Sequence, residues 1–230
     1  MKKIKFALKK DFNDIVPPNS AKHYLPEWYR NTPKALDSNN EDVINHRSTF
    51  KACVPFMDSM ISGYVFELWQ DINIIQDENM PRITWKDNSS PVLGIRDFAL
   101  SGNMPTPIGC HDIHYILKHP LYIKTPPGYS ILITNPLNRY DLPFLALSAV
   151  VDSDKEPFFP GNYSLFLKKD FSGVVKMGTP LLQIIPFKRD DWSSEIDNSI
   201  IIDGQKASKK SLRTISGWYR DNAWSKKKYE

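Results

Sequence analysis

The sequence predicts a mainly β protein: an antiparallel barrel or sandwich with an N-terminal extension and a C-terminal helical arm. Three observations lead there. Eighteen prolines stand against ten glycines in a chain also holding 10 tyrosines, 12 phenylalanines and 6 tryptophans, which favours short strands and stiff loops over long helices. Short apolar stretches recur between clusters of Gly, Pro, Asn and Asp, the pattern of strands joined by turns. Strands do not alternate regularly with helices long enough to cover a parallel sheet, so a doubly wound α/β domain is disfavoured.

The chain divides into three regions. Residues 1–48 form a polar, proline-punctuated extension, in which Ala21, Tyr24, Leu25 and Trp28 recur at helical spacing behind a capping Ser20. Asp37 to Asn45 reads as an exposed loop, because its Asn, Asp and Glu side chains compete for backbone hydrogen bonds. Residues 49–189 carry the core. Phe50 to Met60 predicts a short helix with Pro55 near its first turn, ended by Ser62-Gly63. Tyr64 to Ile75 predicts a strand with Tyr64, Phe66 and Leu68 on one face and Val65, Glu67 and Trp69 on the other. Further strands are expected at 82–85, 114–123, 130–134, 144–151, 163–167, 173–176 and 181–187. Pro126, Pro127 and Gly128 form a turn, proline presetting φ and glycine supplying the positive φ of a type II turn. Residues 190–230 form the arm, with Leu212, Ile215, Trp218, Tyr219 and Ala223 in helical register and Trp224-Ser225-Lys226-Lys227-Lys228-Tyr229 beyond.

At 41% hydrophobic and 24% charged, the chain belongs to the ordinary soluble globular class. No apolar run approaches the roughly 20 residues of a membrane helix. The Met-Lys-Lys-Ile-Lys opening has its apolar residues broken by Lys9, Lys10 and Asp11, so no signal-peptide core is expected. A cytoplasmic location follows as the expectation. Cys53 and Cys110 cannot form a disulfide framework and read as buried free thiols. Cys110, His111, Asp112, His114 and His119 lie close together, yet their spacing fits no established zinc pattern, so no metal site is expected and the histidines read as structural or solvent-facing. The net charge of +4 is mild. A nucleic-acid partner would need basic side chains interleaved with exposed aromatics on one face; only the last residues offer this, so none is expected.

The stretch from Lys124 to Arg189 resembles the dUTPase and dCTP deaminase superfamily. The family's Pro-x-Gly turn, phosphate loop, Val-Ile-Asp strand and Gly-x-x-x-x-Gln strand are similar to Pro126-Pro127-Gly128, Asn135-Pro136-Leu137-Asn138, Val150-Val151-Asp152 and Gly178 to Gln183. The opening Gly63-Tyr64-Val65-Phe66 and the later Asp71 resemble the family's first Gly-Tyr-Asp-Leu strand, with Val65 where the family has an acid. The resemblance implies a β-clip fold and nucleoside triphosphate chemistry, in which Asp152 orients water and the deoxyribose while Asn138, Arg139 and Gln183 contact phosphates.

Several family features are replaced. Asp154-Lys155-Glu156-Pro157 stands where the family has Asp-Tyr-Arg-Gly, so the aromatic platform that tells deoxyribose from ribose is missing in register. Leu137-Asn138-Arg139 stands for Arg-Ser-Ser, removing the hydroxyl. No glutamate occupies the position the deaminase branch requires. Asp152 can equally cap a turn between strands, Asn135 and Asn138 form a turn around Pro136, Arg139 pair with Asp141, and Gln183 serve the sheet. The expectation is a non-enzymatic, oligomeric structural or binding protein on this scaffold, a phage or virion component needing no cofactor. Trp218, Tyr219 and Trp224 are its expected partner contacts, and a trimer is favoured because the family trimerises and the β-clip class includes a trimeric phage head decoration protein. The alternative is a divergent deoxynucleoside triphosphate hydrolase with Asp152 as base and Mg2+ bound.

Overall fold

Antiparallel strands carry this protein, and its helices sit at their margins. The computed structural model describes residues 2–8, 15–36, 48–77, 80–86, 91–96, 98–118, 120–155, 163–212 and 217–230. The Asp37 to Asn45 loop, Lys9, Lys10, Asp11, His119, Glu156, Pro157 and Ile215 lie outside the described residues.

In chain order, β1 (Lys5–Leu8) and β2 (Asn19–Ser20) precede a 3-10 turn at Ala21–Tyr24, then α1 (Glu27–Asn31) and α2 (Val54–Ile61). Four strands follow: β3 (Tyr64–Glu67), β4 (Ile72–Ile75), β5 (Arg82–Trp85) and β6 (Leu93–Ile95). After α3 (Phe98–Ser101) come β7 (Tyr115–Leu117), β8 (Leu121–Lys124), β9 (Tyr129–Thr134), β10 (Phe144–Ala146) and β11 (Ala149–Val151). The rest is β12 (Tyr163–Leu167), β13 (Gly173–Val175), β14 (Pro180–Lys188), α4 (Ile200–Leu212) and α5 (Trp218–Asn222).

The strands form sheets in the orders β11-β9-β14-β3-β2, β10-β12-β7-β6, β13-β4-β5 and β1-β8. Pairing is antiparallel throughout. One buried apolar cluster unites the sheets, with Phe66, Ile123, Ile131, Ile133, Phe144 and Leu182 at its centre. Residues before 49 contribute strands to it: β1 pairs with β8 and β2 with β3, and Ile15 is buried in the cluster.

Three stretches read as single strands are each two strands in different sheets. Tyr64 to Ile75 leaves the five-stranded sheet at Leu68, whose N–H donates to Thr179 O (2.8 Å) and whose carbonyl accepts from Gly178 N (2.8 Å), and enters the three-stranded sheet at Ile72. Asp71 holds this bend, accepting from Met177 N at 2.8 Å and pairing with Lys176 at 2.9 Å. Residues 114–123 divide into β7 and β8 at Pro120, which has no N–H for a ladder. Residues 144–151 divide into β10, which pairs with β12, and β11, which pairs with β9. Apolar residues continue across each change of sheet, so the sequence pattern conceals the switch.

Two glycines answer specific backbone demands. Gly63 has φ +75°, and a Cβ there would lie 2.1 Å from Ile184 O. Gly128 has φ +79°, and Tyr129 N bonds back to Pro126 O (3.2 Å), closing the expected turn.

The helices shift relative to expectation. Ser20 makes no side-chain cap, and the first helical stretch breaks at Leu25-Pro26 into the 3-10 turn and α1, which buries Tyr29 and leaves Trp28 half-exposed. α2 carries proline in its first turn as expected. The arm helix begins at Ile200, and Gly217 at φ +88° precludes one continuous helix across 211–223. Among the described residues no helix is long and apolar enough to cross a membrane.

Candidate functional site

Gln183 sits in the interior of β14 at 1% exposure with every polar atom engaged. Its Oε1 accepts from Leu137 N (2.8 Å), and its Nε2 donates to the carbonyls of Ser59 (2.9 Å) and Ser62 (2.7 Å). The amide thus ties the turn after β9 to the last turn of α2. Asn138, in the left-handed region at φ +59°, donates from Nδ2 to Ser59 Oγ at 2.7 Å. Asn135 accepts from Ala146 N at 3.1 Å.

Arg139 completes this cluster. Its Nε and Nη2 donate to the Asp141 carboxylate at 2.8 and 2.7 Å, and its Nη1 donates to Tyr24 O at 3.0 Å. Partial burial pushes the Asp141 carboxyl up, but the Arg139 bonds and charge reverse this and hold it below the ordinary carboxylate range. The Arg139 side chain is 12% exposed, and its charge is already neutralised by Asp141. Asn138, Arg139 and Gln183 therefore converge, but on α2 and the residues around Tyr24.

Asp152 belongs to a different cluster. It follows β11, where Val151 faces Ile131 of β9, and its Oδ1 accepts from Ser130 Oγ at 2.5 Å. Arg189, just past β14, approaches the same carboxylate at 3.2 Å and donates from Nη1 to Asp154 Oδ1 at 2.8 Å. Asp154 in turn accepts from Gly128 N at 2.8 Å. The Pro126–Gly128 turn is thus locked to the end of β14. The Ser130 hydroxyl and then the Arg189 charge hold the Asp152 carboxyl below its ordinary range, and the Arg189 bonds hold that of Asp154 well below.

The two clusters occupy opposite ends of β9. Ser130 lies near its start, while Thr134, the register partner of Gln183, ends it. Four residue steps along the strand separate them, about 13 Å. Within one chain Asp152 does not share a cleft with Asn138, Arg139 and Gln183. A carboxyl held below its usual range is also a weak proton acceptor. Three cavities of about 300, 270 and 650 Å³ are lined by residues other than these four.

Ser130, Asp154 and Arg189 are the polar residues that sequence reading missed. Their only signal is position: each flanks a turn or ends a strand where two sheet neighbours meet.

Of the expected partner contacts, Trp218 is half-buried and Tyr219 is exposed. Trp224 is engaged on its own chain: its Nε1 donates to Asp58 Oδ2 (2.8 Å), which also accepts from Lys227 Nζ (2.6 Å). The segment that stands clear is earlier. Trp192, Ile196, Ile200, Ile201 and Ile202 are all exposed, and the main neighbour of α4 is α5.

The histidine cluster is dispersed among separate bonds. His111 Nε2 meets Gln76 Oε1 at 2.7 Å, and the Gln76 amide nitrogen donates to Lys168 O (3.2 Å) and to Phe171 O, so the imidazole is the donor. His114 Nδ1 meets Ser101 Oγ at 2.9 Å and its ring stacks on Phe166. Burial lowers both imidazoles below their usual range, with Lys169 and Arg96 adding to it. Asp112 accepts from Thr106 Oγ1 at 2.5 Å. Among the described residues no three potential ligands gather as a metal site. Cys110 is buried, and burial pushes its thiol up. Cys53 is exposed, against expectation, because it joins the Phe50–Ala52 turn to α2 at the surface. No family model and no curated protein matches this chain.

Proposed function

We propose that this is a non-enzymatic, oligomeric structural or binding protein on a dUTPase-like scaffold, a phage or virion component that works by assembly and resides in the host cytoplasm or the virion. The observation that carries the reading is the engagement of the family-like residues: Gln183, Asn138 and Arg139 hold α2 and the residues around Tyr24, while Asp152 is held by Ser130 and Arg189 at the far end of β9. The scaffold reading is supported by the order of turn, β9, turn, β11 and β14, with β9 lying between β11 and β14. Assembly is supported by the exposed apolar residues from Trp192 to Ile202, large side chains that bury much area when they reach a partner. No cofactor enters this reading; Mg2+ belongs to the hydrolase alternative.

The test is incubation of pure protein with each deoxynucleoside triphosphate and Mg2+, followed by chromatography. No monophosphate above the protein-free blank is expected. Monophosphate that disappears in an Asp152→Ala variant would establish the hydrolase instead.

A further inference from the structure

Two lysine-rich segments from opposite ends of the sequence meet on one face of the five-stranded sheet. Pairing of β1 with β8 carries Lys2 and Lys3 alongside Tyr129, and anchoring of Trp224 and Lys227 on Asp58 lays Lys228 and Tyr229 beside Tyr64. Between them lies a cavity of about 300 Å³ lined by Lys2, Lys3, Lys228, Tyr64, Tyr129 and Tyr229, room for one nucleotide unit. Basic residues scattered along the sequence thus become interleaved with aromatic rings.

We propose that this cleft binds single-stranded nucleic acid. The three ammonium groups face one carboxylate side chain, Glu230, within the lining. Of the nearby acids, Asp58 is matched by Lys227 and Asp190 by Lys188, while Asp154 and Asp152 share Arg189, with Ser130 also donating to Asp152. Net positive charge therefore remains for phosphates. The rings supply the second requirement. Tyr229 meets Tyr64 edge-on, with centroids 6.0 Å apart, and all three tyrosines are partly exposed. The Lys2 ammonium lies 4.2 Å from the centroid of Tyr129. A phosphate draws that flexible side chain outward and opens the ring face to a base. An unpaired base can stack there, whereas a duplex hides its base faces, so the cleft selects single strands.

The site is separate from the exposed Trp192–Ile202 segment, so the two readings fail independently. Fluorescence anisotropy of a labelled oligothymidylate, with the same strand in a duplex, is the test. The expected result is preference for the single strand, with log affinity falling against log salt at a slope of about −2 for three lysine contacts. Lys2→Glu, Lys3→Glu and Lys228→Glu together should abolish binding. Tyr229→Ala should weaken oligonucleotide binding about tenfold, while leaving binding of base-free polyphosphate unchanged. Trp192→Ser should bind like the wild type. No binding, equal binding of duplex, or wild-type affinity in Tyr229→Ala would each overturn the proposal.

Discussion

The side-chain amide of Gln183 donates to the carbonyl of Ser62 across 2.7 Å, from the interior of a sheet strand to the end of a helix. The bond makes Gln183 a fastener of α2. Gln183→Ala should cost about 2–4 kcal/mol in denaturant unfolding, because it leaves Leu137 N–H and two carbonyls without partners. Gln183→Glu should not rescue, since a carboxylate offers no donor to those carbonyls. A glutamine serving only phosphate would leave stability unchanged in both variants.

Gly63 tolerates no side chain. Its φ of +75° and the 2.1 Å approach of Ile184 O to a Cβ position set two penalties at one residue. Gly63→Ala should lose about 3 kcal/mol or more, read from the thermal or denaturant midpoint. A Gly128→Ala variant carries the positive φ without the clash, with nothing within 4 Å of its Cβ position, and should lose markedly less.

Asp58 should control the Trp224–Glu230 tail, because one of its oxygens receives both Trp224 Nε1 and Lys227 Nζ. Asp58→Ala should shift tryptophan emission to the red and expose the Lys226–Lys228 run to trypsin, with the β-sheet circular dichroism retained. Wild-type digestion kinetics would show that the tail is held by other contacts.

Acid should destabilise the fold in two stages. His111 and His114 have lowered folded values, so the unfolded chain binds more protons. Their contribution is fully present above the unfolded value of about 6.5 and declines as pH falls below it. Asp141, Asp152 and Asp154 are also lowered, so theirs is present above about 3.9 and is lost at more acid pH. Midpoints of thermal unfolding against pH should show both falls, and His111→Gln should diminish the first.

Much of the β character was legible. The Pro126–Gly128 turn, the strand from Tyr129 and the proline in the first turn of α2 rest on local backbone chemistry, which sequence reports directly. The sheet changes at Leu68, Pro120 and Leu147 were concealed, because apolar residues continue on both sides of each change, even in β11 where Ala149 and Val150 are exposed. The start of α4 was missed: Ile200-Ile201-Ile202 resembles a strand, and no core partner imposes helical spacing on it. At the candidate site the local pair of Arg139 with Asp141 was legible as one of two readings, but the distant engagements were not. That Arg139 also reaches Tyr24 O, or that Arg189 unites Asp152 with Asp154, depends on long-range pairing that spacing does not encode.

Assembly is tested most directly by the mass in solution, measured by light scattering over a range of concentrations for the wild type and for a variant carrying Trp192→Ser and Ile201→Asp. The wild type should be a defined oligomer, a trimer on the family resemblance, and the variant a folded monomer. A wild type that remains monomeric at the highest concentration reached, or a variant that keeps the wild-type mass, would contradict the account.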